Sequence, residues 1–501
     1  MYRFSSWNPS KYPVNLNYCL RHSLLLLLVL VCSLLKGSGE IFAQTQPTEE
    51  ELPKSQVPEK VTVNNIFIVG NEKTRRRIIL REMDLSIGVT YAWEDFIALL
   101  AADRKKIYNL LLFNTVELTP LFTSEDQVEL LLTVKERWYI IPSLIFTLAD
   151  RNFSEWWINQ NRDFSRVNYG VKLDHNNVGG RNEKFRMIGQ LGFTQALDLQ
   201  YTKPYIDRKQ RHGLATRFTY FTNKTIGVRS GNNRQFFYTS EDEDILRRVI
   251  NASLTYTYRG SYYNFHNVTL GYQNNKIHED VLLQNPLYFP DSKTQIQYFV
   301  ASYSYRHDKR DNIAYATEGQ LLNLGLTQYG LLGGDDIRET EISVVANKYT
   351  RFGNKIHFVS GVSASTFLSK RQPYTLVRGI GYKPDFIRGY EINVIEGQQT
   401  IVHKNSLRYE LLNLSFDISA FMPIEEFAVF PFRAYLSANF DHGYVNDKNR
   451  IPENLRLTNK YLYGYGLGLD LVSLYDLVFR FEYSINNQGT GNFFINVRSP
   501  L

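Results

Sequence analysis

From Trp138 to Leu501 the chain repeats one pattern, in which stretches of about ten residues alternate apolar with polar side chains. Turns rich in Asn, Asp and Gly separate these stretches. The stretch from Tyr475 to Tyr483 is an example. Its apolar residues are Leu477, Phe479, Phe481 and Tyr483, and its polar residues are Asp476, Arg480 and Glu482. A period of two places the two sets on opposite faces of a strand. No helices follow that would cover so wide an apolar face, whereas a closed sheet standing in lipid leaves no open edge. The pattern predicts a transmembrane β-barrel.

The predicted barrel has sixteen antiparallel strands. An even number is typical of bacterial single-chain barrels and places both ends of the barrel in the periplasm. By the same parity, the loops 224–246 and 367–401 face the outside of the cell. The predicted strands are 141–149, 165–175, 183–194, 196–203, 211–223, 247–258, 262–273, 295–306, 317–328, 338–350, 355–366, 402–412, 428–441, 460–470, 475–484 and 492–499.

The N-terminus reads as an export signal. Arg21 precedes an apolar core at 24–35, which is too short to span a membrane, and Ile41-Phe42-Ala43 follows. We expect residues 1–43 to form a signal peptide that is cleaved after Ala43. The alternative, a lipid-attachment site at Cys32, is disfavoured because Val31 stands where a small residue is expected. Both cysteines, Cys19 and Cys32, lie within the predicted signal, which excludes disulfides, thiol catalysis and cysteine metal sites from the mature chain.

Charge and histidine placement give no sign of nucleic-acid binding or catalysis. The formal charge is +7, of which residues 1–43 carry +3, and the remainder is too dispersed for a nucleic-acid surface. The nine histidines are scattered, without the paired spacing of a metal site. Isolated residues such as His442 and Ser437 do not form a catalytic constellation in the sequence. We therefore expect a protein without enzymatic activity, cofactor or metal.

Residues 44–60 are polar and contain several prolines, as in a linker, and a small α/β unit follows at 61–137. Its predicted order is β-α-α-β-β, with Thr74 as the N-cap of the first helix. The predicted elements are a strand at 61–69, a helix from 74, a helix at 93–109, and strands at 115–122 and 127–136.

This unit resembles a POTRA domain, the polypeptide-transport-associated module that precedes the barrel of outer-membrane assembly and secretion proteins. The resemblance rests on Val63-x-x-Ile66-x-Ile68-x-Gly70-Asn71-x-x-Thr74, Ile79-x-Arg81-Glu82, Leu112-Phe113-Asn114-x-Val116 and Val134-x-Glu136. It implies a periplasmic location. An open sheet edge can accept an extended client chain as an added strand. We expect that edge to carry Val116, Leu118, Val128 and Leu130.

The loop 367–401 contains Ile387-Arg388-Gly389-Tyr390, which resembles the [V/I]-R-G-[F/Y] signature of the BamA/TamA family, in the bacterial surface antigen superfamily. The resemblance implies that this loop folds into the lumen, where its arginine pairs with acidic residues on the inner wall. The matching acids here are Glu410 and Asp441. Strand alternation independently places both on the luminal face. Three further stretches resemble the family: 174–181, 307–319 and 463–469.

The resemblance implies a non-enzymatic Gram-negative outer-membrane factor that inserts or translocates unfolded proteins. Implied partners are unfolded outer-membrane or secreted clients, lipid and lipopolysaccharide, and accessory lipoproteins or periplasmic proteins, with no cofactor. The first and last strands would form a lateral seam, represented by Ile141, Phe146, Phe493, Ile495 and Val497. The alternative is a dedicated secretion pore or a passive channel for one partner. Two departures from the family are the single module and a last strand that ends without a terminal aromatic residue.

Overall fold

The computed structural model describes residues 41–43, 58–148, 156–157, 161–240, 245–369, 372–377, 379–382, 386–419, 422, 429–450, 452–473 and 477–498. Most of the predicted signal peptide and linker lies outside these residues, as do Arg378 and Asp385 of the long loop. The first described element is the short strand β1, Ile41–Ala43.

The small α/β domain contains four strands and two helices. Strand β2 lies parallel to β5, and the sheet order is β3-β2-β5-β4. The apolar side chains of the sheet pack under the helices, with Val61, Phe96 and Ile107 fully buried. The elements are β2 Lys60–Val69, α1 Arg76–Leu80, β3 Thr90–Ala92, α2 Trp93–Tyr108, β4 Phe113–Phe122 and β5 Gln127–Glu136.

Three details of this domain differ from the sequence predictions. Arg75, not Thr74, is the N-cap of α1, because the Thr74 hydroxyl is engaged with the Tyr139 hydroxyl at 2.9 Å. The short edge strand β3 was not predicted. Val128 and Leu130 do not lie at a sheet edge, because β5 is paired on both sides by β2 and β4.

The prediction of a sixteen-stranded antiparallel barrel is confirmed: from β6 to β23, each barrel strand is paired with the next barrel strand along the chain, including β9 with β10. Two further strands, β11 and β12, form a separate hairpin in the predicted loop 224–246. The strands are β6 Ile140–Leu148, β7 Val167–Val178, β8 Glu183–Gly192, β9 Thr194–Lys203, β10 His212–Asn223, β11 Thr225–Gly231, β12 Arg234–Thr239, β13 Arg247–Arg259, β14 Asn264–Ile277, β15 Gln295–Asp308, β16 Gly319–Tyr329, β17 Glu339–Phe352, β18 Ile356–Phe367, β19 Gln399–Asp417, β20 Val429–Asn446, β21 Tyr461–Val472, β22 Val478–Asn486 and β23 Gly491–Arg498.

The strands alternate as the sequence pattern predicts. On β20, Leu436 and Phe440 are exposed on the outer face, whereas Ser437, Asn439 and Asp441 are buried on the inner face. This alternation is the period of two that a sheet with one apolar face requires. Within the described residues, no helix is long and apolar enough to cross a membrane.

The end of the barrel that carries loops 224–246 and 367–401 is covered by its own apolar cluster. The hairpin β11–β12 and the short helix α3, Glu279–Gln284, contribute to this cluster. Its buried members include Ile226, Val228, Leu246, Val281, Tyr288 and Phe289. Most of these residues lie in segments that the strand pattern left as loop.

Strands β19 and β20 extend past their neighbours at the opposite end. The pairing of β18 with β19 ends at Tyr409, but β19 continues to Asp417 in pairing with β20. Strand β1 lies antiparallel to this extension, from Leu414 to Phe416. The three residues that end the predicted signal peptide therefore occupy an otherwise free sheet edge.

Candidate functional site

Arg388 lies on the long loop between β18 and β19, and the loop reaches into the barrel. Its Nη1 donates to Asp441 Oδ1 at 2.7 Å, and its Nε donates to Glu482 Oε1 at 2.8 Å. The backbone N–H of Arg388 also faces Asp441 Oδ2 at 3.3 Å. All three residues are buried. Charge-assisted bonds of this kind are short and directional, so one guanidinium connects the loop to both β20 and β22.

The predicted pairing of Arg388 with Glu410 was wrong. Glu410 instead accepts a hydrogen bond from the Tyr435 hydroxyl at 3.0 Å. Glu410 on β19 lies opposite Tyr435 on β20, and Tyr435 is six residues away from Asp441 along that strand. At about 3.3 Å per residue, that places Glu410 about 20 Å along the strand from the arginine site. The second acid is Glu482, which strand alternation had already placed on the face opposite Phe481 and Tyr483.

Two glycines allow the loop to lie against the wall. Gly389 has a φ of 82°, and a Cβ there would lie 2.7 Å from the backbone nitrogen of Asn486. A Cβ on Gly464 of β21 would lie only 1.8 Å from the carbonyl oxygen of Arg388. Asn486 Nδ2 donates to the Gly389 carbonyl at 2.7 Å. Glycine spacing on β21 thus serves close packing of loop on strand.

Tyr390, the last residue of the signature, is completely buried. Its hydroxyl donates to Asn487 Oδ1, just beyond the end of β22. The ring belongs to a buried cluster with Ile387, Val445 and Leu462. The signature therefore combines one polar anchor with one apolar anchor on the same stretch of loop.

The predicted seam residues lie on the first and last barrel strands, β6 and β23. Phe146, Phe493 and Ile495 are exposed on the outer face, and Ile141 is half-buried. Val497 is paired with Phe479 of β22. β6 and β23 are the two end strands of the paired series, and within the described residues no hydrogen-bonded pairing joins them. The seam between them therefore stays a prediction.

The four residues predicted to bind clients are all buried in the core of the small domain. Val116 and Leu118 belong to β4, which is an edge strand of the described sheet. Their side chains are unavailable, so only the backbone of β4 and its outward side chains, such as Glu117 and Thr119, are accessible to a partner.

The small domain is docked on the barrel turns at the end opposite the long loop, a contact that the sequence did not predict. Arg259 at the end of β13 forms a bidentate ion pair with Glu82, at 2.8 and 2.7 Å. Thr74 accepts a bond from Asn177 at 2.8 Å. The Tyr262 hydroxyl donates to the carbonyl of Lys106 at 3.1 Å.

A cavity of about 770 Å³ lies between helix α2 and the mouth of the barrel. Its lining has eight basic residues, among them Lys105, Lys184, Lys203 and Lys309, and four acids, of which Glu82 and Asp308 are ion-paired with arginines. The cavity joins the small domain to the luminal face of the barrel strands. Its lining is therefore predominantly positive.

No catalytic or metal-binding constellation was predicted. Within the part of the chain that the structure describes, no group of three or more His, Cys, Asp or Glu side chains is placed to hold a metal ion. His442 is not isolated, as the sequence suggested: its Nε2 lies 3.0 Å from His403 Nδ1, and His403 Nε2 lies 2.8 Å from the Ser360 hydroxyl. All three residues occupy outward positions on neighbouring strands.

Two solved structures are similar to this chain. The chain resembles the solved structure of BamA from Haemophilus ducreyi lacking POTRA domains 1-3, with 15% identity and a TM-score of 0.49 over 87% of this chain and 84% of that one. It also resembles CdiB from Escherichia coli, with 14% identity and a TM-score of 0.53 over 87% of this chain and 76% of that one. No curated protein matches the chain.

A family model gives the stronger result. The model of the Omp85 superfamily domain matches residues 177–496, which include the long loop, Arg388 and both of its acidic partners. The match covers more than half of the chain. The chain therefore belongs to the Omp85 superfamily.

Proposed function

We propose that this outer-membrane β-barrel protein binds unfolded client chains through its POTRA domain in the periplasm and aids their insertion into, or passage across, the outer membrane. The observation that carries the proposal is the combination of an open strand edge on the small domain with a loop anchored inside the barrel. A positively charged cavity between helix α2 of the small domain and the mouth of the barrel also supports the proposal.

The client would be held by strand addition to β4. This strand has ten residues, its partner is β5, and Pro120 within it is typical of an edge position. Added strands bond to backbone groups, so one edge can accept many client sequences. This mode suits an insertion factor better than a receptor for a single folded partner.

A photo-crosslinking residue at Thr119, on the exposed side of β4, tests client binding. We expect it to capture unfolded outer-membrane proteins from the periplasm, and the same probe at Ser124, on the β4–β5 turn, to capture far less. Equal capture at both positions would contradict strand addition at this edge.

The barrel would release clients at the junction of β6 and β23. Cysteine pairs test this, because the chain has no cysteine after Cys32. We expect Phe146→Cys combined with Phe493→Cys or Ile495→Cys, joined by a long thiol crosslinker that a reductant can cleave, to block client insertion until the reductant is added. A matched pair across β14 and β15, Leu270→Cys with Ala301→Cys, joined in the same way, should leave insertion unchanged. Full activity of the crosslinked seam variants would exclude opening there.

The second candidate function is a secretion pore or passive channel for one partner, favoured by the cavity that leads into the lumen. Depletion of the protein separates the two. Loss of many barrel proteins from the outer membrane supports the insertion function. Loss of one secreted protein, together with single-channel conductance of the purified barrel, supports the pore.

A further inference from the structure

The turn between β15 and β16, residues 309–318, folds up into the barrel. Its Tyr315 is only 4% exposed, and the hydroxyl donates to Asp470 Oδ2 on β21 at 2.8 Å. The ring lies between the guanidinium of Arg408, 4.7 Å from its centroid, and the ring of Tyr435 at 4.9 Å. A tyrosine from a periplasmic turn therefore packs deep against the luminal wall.

The turn is held in shape by its own side chains. Asp311 accepts bonds from the backbone N–H groups of Thr317 and Glu318, at 3.0 and 3.1 Å. Asn312 accepts bonds from those of Ala314 and Tyr315, at 2.7 and 3.2 Å. These local bonds make the turn rigid.

The outer side of the same turn is bound by the small domain. Asn109, at the end of α2, donates through Nδ2 to the carbonyls of Arg310 and Asp311 at 3.3 and 3.1 Å. Its Oδ1 accepts from the Ile313 N–H at 3.3 Å. One short turn thus contacts the docked domain on one side and the lumen on the other.

The luminal contact continues to the arginine site. Asp470 is bound in a bidentate manner by Arg480 of β22, at 2.7 and 2.8 Å. Arg480 and Glu482 are two residues apart on that strand, so both side chains point into the lumen. Glu482 is the acid that accepts from Arg388 Nε. Direct contacts therefore run from Asn109 through the turn to Arg480, which lies beside Glu482, the partner of Arg388, on the same face of β22.

We propose that Tyr315 is a positioning residue that couples docking of the small domain to seating of the loop in the lumen. The turn has two anchors, and releasing one removes the support of the other. Undocking of α2 would free Tyr315 from Asp470, allow Arg480 to shift, and weaken the hold of β22 on the loop. This coupling concerns the barrel itself and does not depend on which clients it handles.

Hydrogen–deuterium exchange of the full chain in detergent tests the coupling. Tyr315→Phe keeps the ring but removes the bond to Asp470. We expect exchange about fivefold faster, as for loss of one net hydrogen bond, both in α2 and in loop residues 386–398. Asn109→Ala, on the periplasmic side, should produce the same increase in the distant loop.

Tyr435→Phe is the matched control, because it removes a neighbouring luminal hydroxyl, which bonds Glu410, and leaves the turn intact. We expect it to leave exchange in both segments unchanged. If Asn109→Ala speeds exchange in the turn alone, with loop 386–398 at its wild-type rate, the coupling is wrong. Equal effects of Tyr435→Phe and Tyr315→Phe would also overturn it, because they would indicate general loosening of the barrel.

Discussion

Glu82 of the small domain and Arg259 of the barrel form a bidentate ion pair in which the glutamate side chain is completely buried. Arg81 also donates to Glu82 Oε1, at 2.8 Å. A carboxylate withdrawn from water needs such partners, and here the arginine that forms two of the hydrogen bonds belongs to the barrel. This ion pair is therefore one of the contacts that orient the small domain on the barrel.

Arg259→Ala should loosen the attachment of the small domain to the barrel. Losing one partner of a buried pair costs about 3–5 kcal/mol when the remaining charge is left unpaired, and here the cost should be smaller because Arg81 still donates to Glu82. We expect spin labels on Thr119 and Ser261 to show a broad distance distribution in place of a narrow one. Exchanging the charges, with Glu82→Arg and Arg259→Glu together, should partly restore the narrow distribution. Arg217→Ala, which breaks the more exposed pair with Asp198, is the control and should not affect docking.

Stability of the docked domain should depend on pH through Glu82. Burial raises the pKa of Glu82 from its ordinary value of 4.5 to about 7, although the charge of Arg81 acts in the opposite direction. A carboxyl with a raised pKa contributes stability that is complete below 4.5 and is lost as the pH rises through about 7. We expect the midpoint of thermal unfolding to fall as the pH rises through this window. In Glu82→Gln we expect the midpoint not to depend on pH in this window. A midpoint that rises instead would mean that the arginines outweigh burial.

Arg388→Ala should loosen the luminal loop and lower the heat stability of the barrel. The variant leaves Asp441 and Glu482 buried without their shared cation, a loss of about 3–5 kcal/mol. Arg388→Lys should recover only part, because an ammonium cannot reproduce the two directed bonds. The measurement is the temperature at which the folded band is lost in semi-native electrophoresis.

The identity of the acids can be tested in the same assay. Glu482→Gln should lower the transition temperature, whereas Glu410→Gln should have little effect, because glutamine still accepts the bond from Tyr435. A larger effect of Glu410→Gln would contradict the arrangement described above.

Gly464→Ala should displace the loop without touching any charged group. The added methyl would lie 1.8 Å from the carbonyl oxygen of Arg388. Neither group can move away unless the backbone shifts. We expect protease cleavage within 386–398 in this variant and protection in the wild type. Gly189→Ala on β8 is the matched control, since a Cβ there meets nothing within 4 Å. Protection in both variants would show that the loop does not need this close approach.

The barrel was predictable because each of its strands carries its own alternation. The pattern on β20 assigned Asn439 and Asp441 to the lumen without knowledge of any neighbour. The pattern does not show how far along the barrel axis a residue lies, because the stagger between strands decides which luminal residues lie at the same level. Glu410 and Glu482 both face inward, and only the stagger shows that Glu482 is within reach of Arg388.

Contacts between distant segments of the chain cannot be predicted from the alternation pattern either. Glu82 and Arg259 each occur in ordinary local sequence, and no spacing relates them. Thr74 resembled a helix cap, but its hydroxyl is used by Tyr139 and Asn177 in the docked arrangement. The hairpin β11–β12 lies within the predicted loop 224–246, and its strands, of seven and six residues, are too short to cross a membrane.

The double grip of Arg388 has a mechanical consequence for the cylinder. Asp441 and Glu482 belong to β20 and β22, so one side chain of the loop braces three neighbouring strands, β20, β21 and β22. Motion of the wall should be largest where this bracing ends, and β23 is the first strand beyond β22. The loop thereby protects one arc of the wall from shear and leaves β23, the last strand, easier to deform.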